Sequence, residues 1–374
     1  MLLLLSDLTY YFTIYYTHRY NLERERHPDF WFRLNCKNYV DRTRQAVADF
    51  IGAELDNIVI VDNATTAINA VIKSYPFKSG DAILDTTLTY GSIHRLCGDF
   101  TSRLRSDVER VKLELYFPLD EETIIKKYEE VFQKHPNIKV AVIDHITSPS
   151  AILMPIKRLT ELCHKNGALA IIDGAHAIGQ LPLNMKELKA DIYTSNLHKW
   201  AFAPRGAAFL WFGSDHADWV RPPNTSWEIG KSLDLQFIDQ GTRDHVPSIA
   251  ALHGLEFIKA IGGMEKIVKY TSDLAEQAKE YFIKELDLKP LAIPPSLESP
   301  NLKLIKLPKF KNYPCTEEGF TALMKAMFAG SNVFGILVLI DGDIYLRYSI
   351  QVYNDFDDVK AIVELFREFI RNNI

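Results

Sequence analysis

Four groups of residues have types and settings that could do chemistry. Lys199 stands in Asn196-Leu197-His198-Lys199-Trp200, among small polar and aromatic residues rather than on a charged face. A lysine whose surroundings lower its pKa can bond covalently to a carbonyl, and the alternative is a structural lysine. Asp173 directly follows the apolar run Ala168 to Ile172. A carboxylate there could hold a heterocyclic nitrogen in its protonated form, close a turn, or ligate a metal. Asp62-Asn63-Ala64-Thr65-Thr66 ends a short apolar run and opens a helical pattern. It reads either as an ordinary N-cap by Asn63 or Thr65, or as an anion site made by outward-facing N–H groups. Arg347 lies in the alternating stretch Tyr345-Leu346-Arg347-Tyr348-Ser349. A guanidinium buried there needs a partner, either a structural carboxylate or that of a ligand held bidentately.

The elements that must position these groups alternate along the chain. Helical spacing over Asn38–Ile51 leads to a strand over Asn57–Val61, and a second helix spans Thr65–Ile72. Strands at Asp81–Leu84 and Val108–Leu115 precede a charged helix at Asp120–His135. Then come a strand at Lys139–Ile143, a helix at Ile156–Lys165, and strands at Ala168–Ile172, Asp191–Thr194 and Gly206–Phe212. This alternation predicts an α/β fold with a mostly parallel sheet between helices. In such sheets ligands bind beyond the carboxyl ends of the strands, where Asn63, Ser148, Asp173 and Asn196 are expected. After a helix at Ser248–Ile261 the pattern becomes mixed, predicting a smaller α+β unit.

Composition narrows the partner. The 374 residues are 47% hydrophobic and 24% charged, with 43 Lys+Arg against 48 Asp+Glu and a formal charge of −5. That balance supplies no basic field for nucleic acid or an anionic membrane, so a small molecule is expected. The four cysteines (36, 97, 163 and 315) form no CxxC pair, which argues against a disulfide framework or thiolate zinc site and for a reducing, cytoplasmic setting. No histidine spacing indicates a metal site. Met1 to Leu5 is apolar but lacks a basic leader and is interrupted at Asp7, so neither signal peptide nor anchor is expected.

Taken together, several stretches resemble class V aminotransferases, in the branch of isopenicillin N epimerase, hercynylcysteine sulfoxide lyase and cysteine C–S lyases. They are Asp62–Asn69, Asp144-His145-Ile146-Thr147-Ser148-Pro149, Asp173-Gly174-Ala175-His176-Ala177, Asn196–Trp200, Gly241-Thr242-Arg243-Asp244 and Arg347–Gln351, in the family's order. The resemblance implies aminotransferase fold type I with a seven-stranded sheet, and pyridoxal 5'-phosphate as cofactor. The expected divisions are an atypical segment at 1–30, a cofactor-binding domain at 31–246, and a connecting helix with a small domain at 247–374.

The same resemblance implies roles for individual residues. Lys199 would hold the cofactor, Asp173 would pair with its pyridine nitrogen, and Tyr90 would stack on its ring. Ser148 and His176 would lie near the ring hydroxyl. Thr65, Thr66 and Asn196, with His198 beside the lysine, would complete the cofactor shell. Gly241 and Thr242 would reach a neighbouring subunit's phosphate, making a homodimer. Arg347 would bind the α-carboxylate of an amino-acid substrate, with Arg243 and His145 as further substrate contacts.

A C–S lyase acting on a cysteine derivative is the leading expectation. Alternatives are an epimerase, a desulfurase using Cys315 as its thiol, and a cofactor-binding protein without turnover. The small-residue Asn/Gly segment with which the family usually opens has no counterpart before residue 30, where Met1 to Tyr20 is rich in Leu and Tyr. The general acid is not identified, with Tyr90 and His145 as candidates.

Overall fold

Strands apolar at every position need cover on both faces, and the central strands of this protein have it. The computed structural model describes residues 11–331 and 333–374. The expectation for Met1 to Leu5 therefore lies outside the described residues; among the described residues no helix is long and apolar enough to cross a membrane.

The main sheet contains β1 (Ile58–Val61), β2 (Ala82–Thr86), β3 (Glu109–Leu113), β4 (Ile138–Asp144), β5 (Leu169–Asp173), β6 (Ile192–Asn196) and β7 (Ala208–Phe212), in the order β1-β7-β6-β5-β4-β2-β3. Strand β7 runs antiparallel to both its neighbours, and the other pairings are parallel. The sheet is thus mostly parallel, as the alternation predicts. The direction of β7 had no signature, because a buried apolar strand reads alike in either sense.

Period-two alternation divides these strands between two cores. Val59, Val61, Val140, Val142, Ile171 and Ile192 face one core, shared with helix α1 (Ala64–Ser74). Ile58, Ile60, Ala141, Ile143, Ile172 and Tyr193 face the other, shared with helix α2 (Val246–Ala260). Helix α2 is apolar nearly all round because it is buried on most sides.

A second, antiparallel sheet has the order β10-β11-β9-β8, comprising β8 (Lys289–Pro290), β9 (Leu302–Lys306), β10 (Ile336–Ile340) and β11 (Asp343–Ser349). Helices Gly263–Leu286, Glu317–Phe328 and Phe356–Asn373 share its core.

The Leu- and Tyr-rich start is built into the body where it is described. Helix Tyr16–Arg26 lies on α2, with the Tyr16 ring stacked 3.4 Å from that of His253 and Tyr20 Oη 3.1 Å from His253 Nε2. Thr13 donates to the Phe202 carbonyl at 2.8 Å, and Arg24 pairs with Asp244 at 2.6 Å. Tyr20 and Trp31 are buried.

Candidate active site

The first-named core leads directly to the site. Continuing its alternation past Val142, Ile171 and Ile192 puts Asp144, Asp173 and Asn196 on one face at the carboxyl ends of β4, β5 and β6. Asp144 and Asp173 are register partners, and they are 5% and 3% exposed. The Ala175 N–H donates to Asp173 Oδ1 at 3.0 Å, and the Tyr90 N–H donates to Asp144 Oδ1 at 3.3 Å. Burial raises both carboxyls above the usual range, and the charge of Asp173 pushes Asp144 further. Of the two, Asp144 is raised further, which favours a proton there.

Lys199 follows β6 on the short helix Leu197–Trp200 and stands exposed at the cleft, where partial desolvation lowers its pKa. Its Nζ lies 3.1 Å from His176 Nε2, while the Trp200 indole N–H donates to His176 Nδ1 at 3.2 Å. Burial, with the charge of Arg347, lowers the His176 pKa well below its ordinary value and keeps the ring neutral. A neutral imidazole that accepts at Nδ1 carries its proton on Nε2, so it donates to Nζ. That donor and the lowered pKa of Lys199 both favour its uncharged amine, the nucleophilic form of lysine.

Behind this face, Tyr193 packs so closely under Gly174 that a Cβ there would meet its ring at 2.4 Å. Ser195 Oγ donates to the Gly174 carbonyl and accepts from the Ile178 N–H at 3.2 Å, tying the loop after Asp173 to β6.

Asn63 caps α1 by accepting from the Thr66 N–H at 2.8 Å, a contact worth about 1 kcal/mol. Asn196 Oδ1 accepts the Ala64 N–H at 2.9 Å. The cap and the anion-site readings therefore coexist: Thr65 remains at the mouth of a positively polarised helix end.

A hollow of about 390 Å³ is lined by Asn63, Thr65, Tyr90, Asp144, Ser148, Asp173, His176, Asn196, His198 and Lys199 among others. Lys199 Nζ stands 6.0 Å from the centre of the Tyr90 ring. A second hollow of about 640 Å³ shares Asn63, His176, His198 and Lys199, and adds Arg205, Ile336, Arg347 and Tyr353. Both volumes lie within the range of small-molecule sites. Arg347 donates to the Ser148 carbonyl, lies 3.4 Å from Ser148 Oγ, and has no carboxylate partner among the described residues. A buried carboxylate, a lysine of lowered pKa, an exposed aromatic face and a helix N-terminus around one hollow fit a phosphorylated heteroaromatic aldehyde.

Several predicted residues lie elsewhere. His145 points to the opposite face, its Nδ1 2.8 Å from Tyr193 Oη, and burial lowers its pKa to about 3. It is neither at the cleft nor a proton donor there, since strand alternation turns it away from Asp144. Arg243 is engaged by Asp62 at 3.0 Å and the Phe237 carbonyl at 2.8 Å. Thr66 is occupied with Asn63, and Gly241 and Thr242 are exposed outside both hollows. Asp144, Trp200 and Arg205 went unrecognised as site residues. The apolar run before Asp144, which mirrors that before Asp173, was a signal for the first of them.

A profile described as aminotransferase class V matches residues 9–362. The chain belongs to the class V aminotransferase family. It is accordingly a pyridoxal-phosphate enzyme. It is 29% identical to hercynylcysteine sulfoxide lyase of Schizosaccharomyces pombe over 360 residues, covering 93% of this chain and 88% of the relative. It is 32% identical to L-cysteine desulfhydrase of Arabidopsis thaliana over 268 residues, covering 67% of this chain and 58% of that one. Isopenicillin N epimerase of Amycolatopsis lactamdurans is 27% identical over 236 residues, 59% of each chain. In fold it resembles a variant of C-DES with glycine covalently linked to its cofactor, at TM-score 0.80 and 16% identity over 94% of this chain and 92% of that one. Apo cysteine desulfurase of Thermococcus onnurineus gives TM-score 0.73 and 19% identity, over 90% and 85% of the two chains.

Proposed function

We propose that this class V aminotransferase is a C–S lyase that cleaves a cysteine derivative by β-elimination, releasing a sulfur-containing product, pyruvate and ammonia. The observation that carries this reading is a single nucleophilic amine, Lys199, facing a cleft that none of the four cysteines lines. Cys36, Cys97 and Cys163 are buried, with thiols pushed up to about 12 chiefly by burial. Cys315 is half-buried beside the core of the second sheet. A desulfurase needs a thiol that reaches the leaving sulfur, whereas a lyase expels the sulfur directly. The similarity to hercynylcysteine sulfoxide lyase and L-cysteine desulfhydrase supports the same choice.

When bound, pyridoxal phosphate supplies an electron sink for charge developing at the substrate Cα. Lys199 would hold the cofactor, and its amine, once free, would take the proton from the substrate Cα. His176, positioned by Trp200, steers that nitrogen. Asp173 would hold the ring nitrogen protonated, Tyr90 would cover the ring, and Ser148 would lie near the ring hydroxyl. Thr65, Asn196 and the N-terminus of α1 would receive the phosphate. Arg347 receives the α-carboxylate, which directs the Cβ–S bond toward the larger hollow. As the proton leaves Cα, the Cβ–S electron pair departs on sulfur, and the 2-aminoacrylate that is released takes up water to give pyruvate and ammonia. The exposed Gly241 and Thr242 serve the site of a second copy in a homodimer.

The test is the visible spectrum of purified protein and Lys199→Ala, with pyruvate assayed on addition of cysteine S-conjugates. The expected result is a borohydride-sensitive band, absent from the variant, and pyruvate from the wild type only. A band without pyruvate from any conjugate would defeat the lyase reading, and an inverted Cα without cleavage would favour epimerisation.

A further inference from the structure

The larger hollow carries more positive charge than binding one carboxylate requires. Arg347 and Arg205 both line it, and neither has a carboxylate partner among the described residues. Asp62, the one acidic residue in that lining, is engaged by Arg243 at 3.0 Å. The cleft is therefore cationic in a chain of formal charge −5, a local inversion suited to an anionic ligand.

Arg205 is also held in place. It follows Phe202, 9% exposed with φ of 58°, and Pro204, and precedes Gly206 with φ of 96°. A loop with these constraints presents the guanidinium with little backbone freedom. Arg205 lines the same hollow as His198, on the Lys199 helix, and Tyr353, in the segment after β11. Apolar surface from Leu302, Ile336 and Trp200 lines the same hollow.

Resting on the lyase reading, we infer that Arg205 is a specificity-determining residue that binds a second, distal carboxylate on the sulfur substituent. The favoured substrate is then a dicarboxylic cysteine conjugate: Arg347 takes the α-carboxylate, apolar side chains cover the linker, and Arg205 takes the far end. A planar guanidinium suits this task better than an ammonium, because its fork matches both carboxylate oxygens.

The test uses holoenzyme and amino acids without a leaving group at Cβ, so that binding is measured apart from elimination. Calorimetric affinities are compared for L-glutamate against L-norvaline, L-2-aminoadipate against L-norleucine, and L-2-aminopimelate against L-2-aminoheptanoate. In at least one pair the diacid should bind about fivefold to fiftyfold more tightly, as for a partly exposed charged hydrogen bond. Arg205→Gln should abolish that preference and Arg205→Lys should retain part of it, with unchanged melting curves showing that both fold. Equal affinities in every wild-type pair, or a preference that survives in Arg205→Gln, would overturn the proposal. A preference lost in Arg205→Gln, in an enzyme that releases no pyruvate from any S-conjugate, would sustain the carboxylate site and reject the lyase reading.

Discussion

Asp144 and His145 are neighbours in the chain, both buried beyond the core of β4, yet they serve opposite faces of the sheet. Asp144 looks into the cleft beside Asp173, while His145 looks into the core and meets Tyr193. Burial disfavours the charged form of each: it raises the carboxyl and lowers the imidazole. What separates them is company. On the cleft side an acid sits beside a second acid and a lysine, so protonation states are poised for use. On the core side a neutral histidine satisfies one phenol. Titratable groups equally buried thus become machinery on one face and scaffold on the other.

The sharpest way to break this comparison is to neutralise the two aspartates in turn. Asp173→Asn should lower kcat by roughly a hundredfold or more, the scale of losing a preorganised charge from an active site. Asp144→Asn should cost less than about tenfold, because an amide resembles the neutral acid that this carboxyl favours. Equal losses in steady-state assays would show that both act as anions. Arg347→Gln comes next: it should raise KM by roughly tenfold to a hundredfold with a smaller change in kcat, as expected for an uncompensated carboxylate.

On the core face the readout moves from activity to stability. His145→Ala should cost about 1–3 kcal/mol by leaving the buried Tyr193 hydroxyl unpaired, with kcat changed less than severalfold. The pH dependence has a definite sign. Folded His145 resists protonation down to about 3, whereas the unfolded chain takes up a proton near the ordinary value of 6.5. Stability is therefore full above 6.5 and falls as the pH drops toward 3, by up to about 1.4 kcal/mol per pH unit for this one group. Urea titrations should show a shallower fall in the variant. The smallest effect should come from Cys315→Ser, which should change pyruvate release by less than about twofold; loss of sulfur release would transfer the chemistry to that thiol.

Much of this was legible before folding, for local reasons. An apolar run ending in a carboxylate marks a strand emerging beneath a site, and this holds for Asp173 as well as Asp144. Asn63 reads as a cap because its side chain competes for nearby N–H groups. His145 was misassigned because a motif gives the order of its residues and not the face each takes. Arg205 was missed because its loop has no periodicity to place it.

The sequence by itself determined the alternation of strands and helices, the chemical nature of Lys199, Asp173 and Arg347, and the absence of a paired-cysteine framework, since these depend on residue type and short-range spacing. Tertiary structure alone decided that Trp200 sets the tautomer of His176, that His145 turns from the cleft, that the Leu- and Tyr-rich segment packs on α2, and that Arg205 shares a hollow with Arg347. Each of these depends on contacts between distant segments or on the direction of a side chain, which follow only once the sheet has set its register.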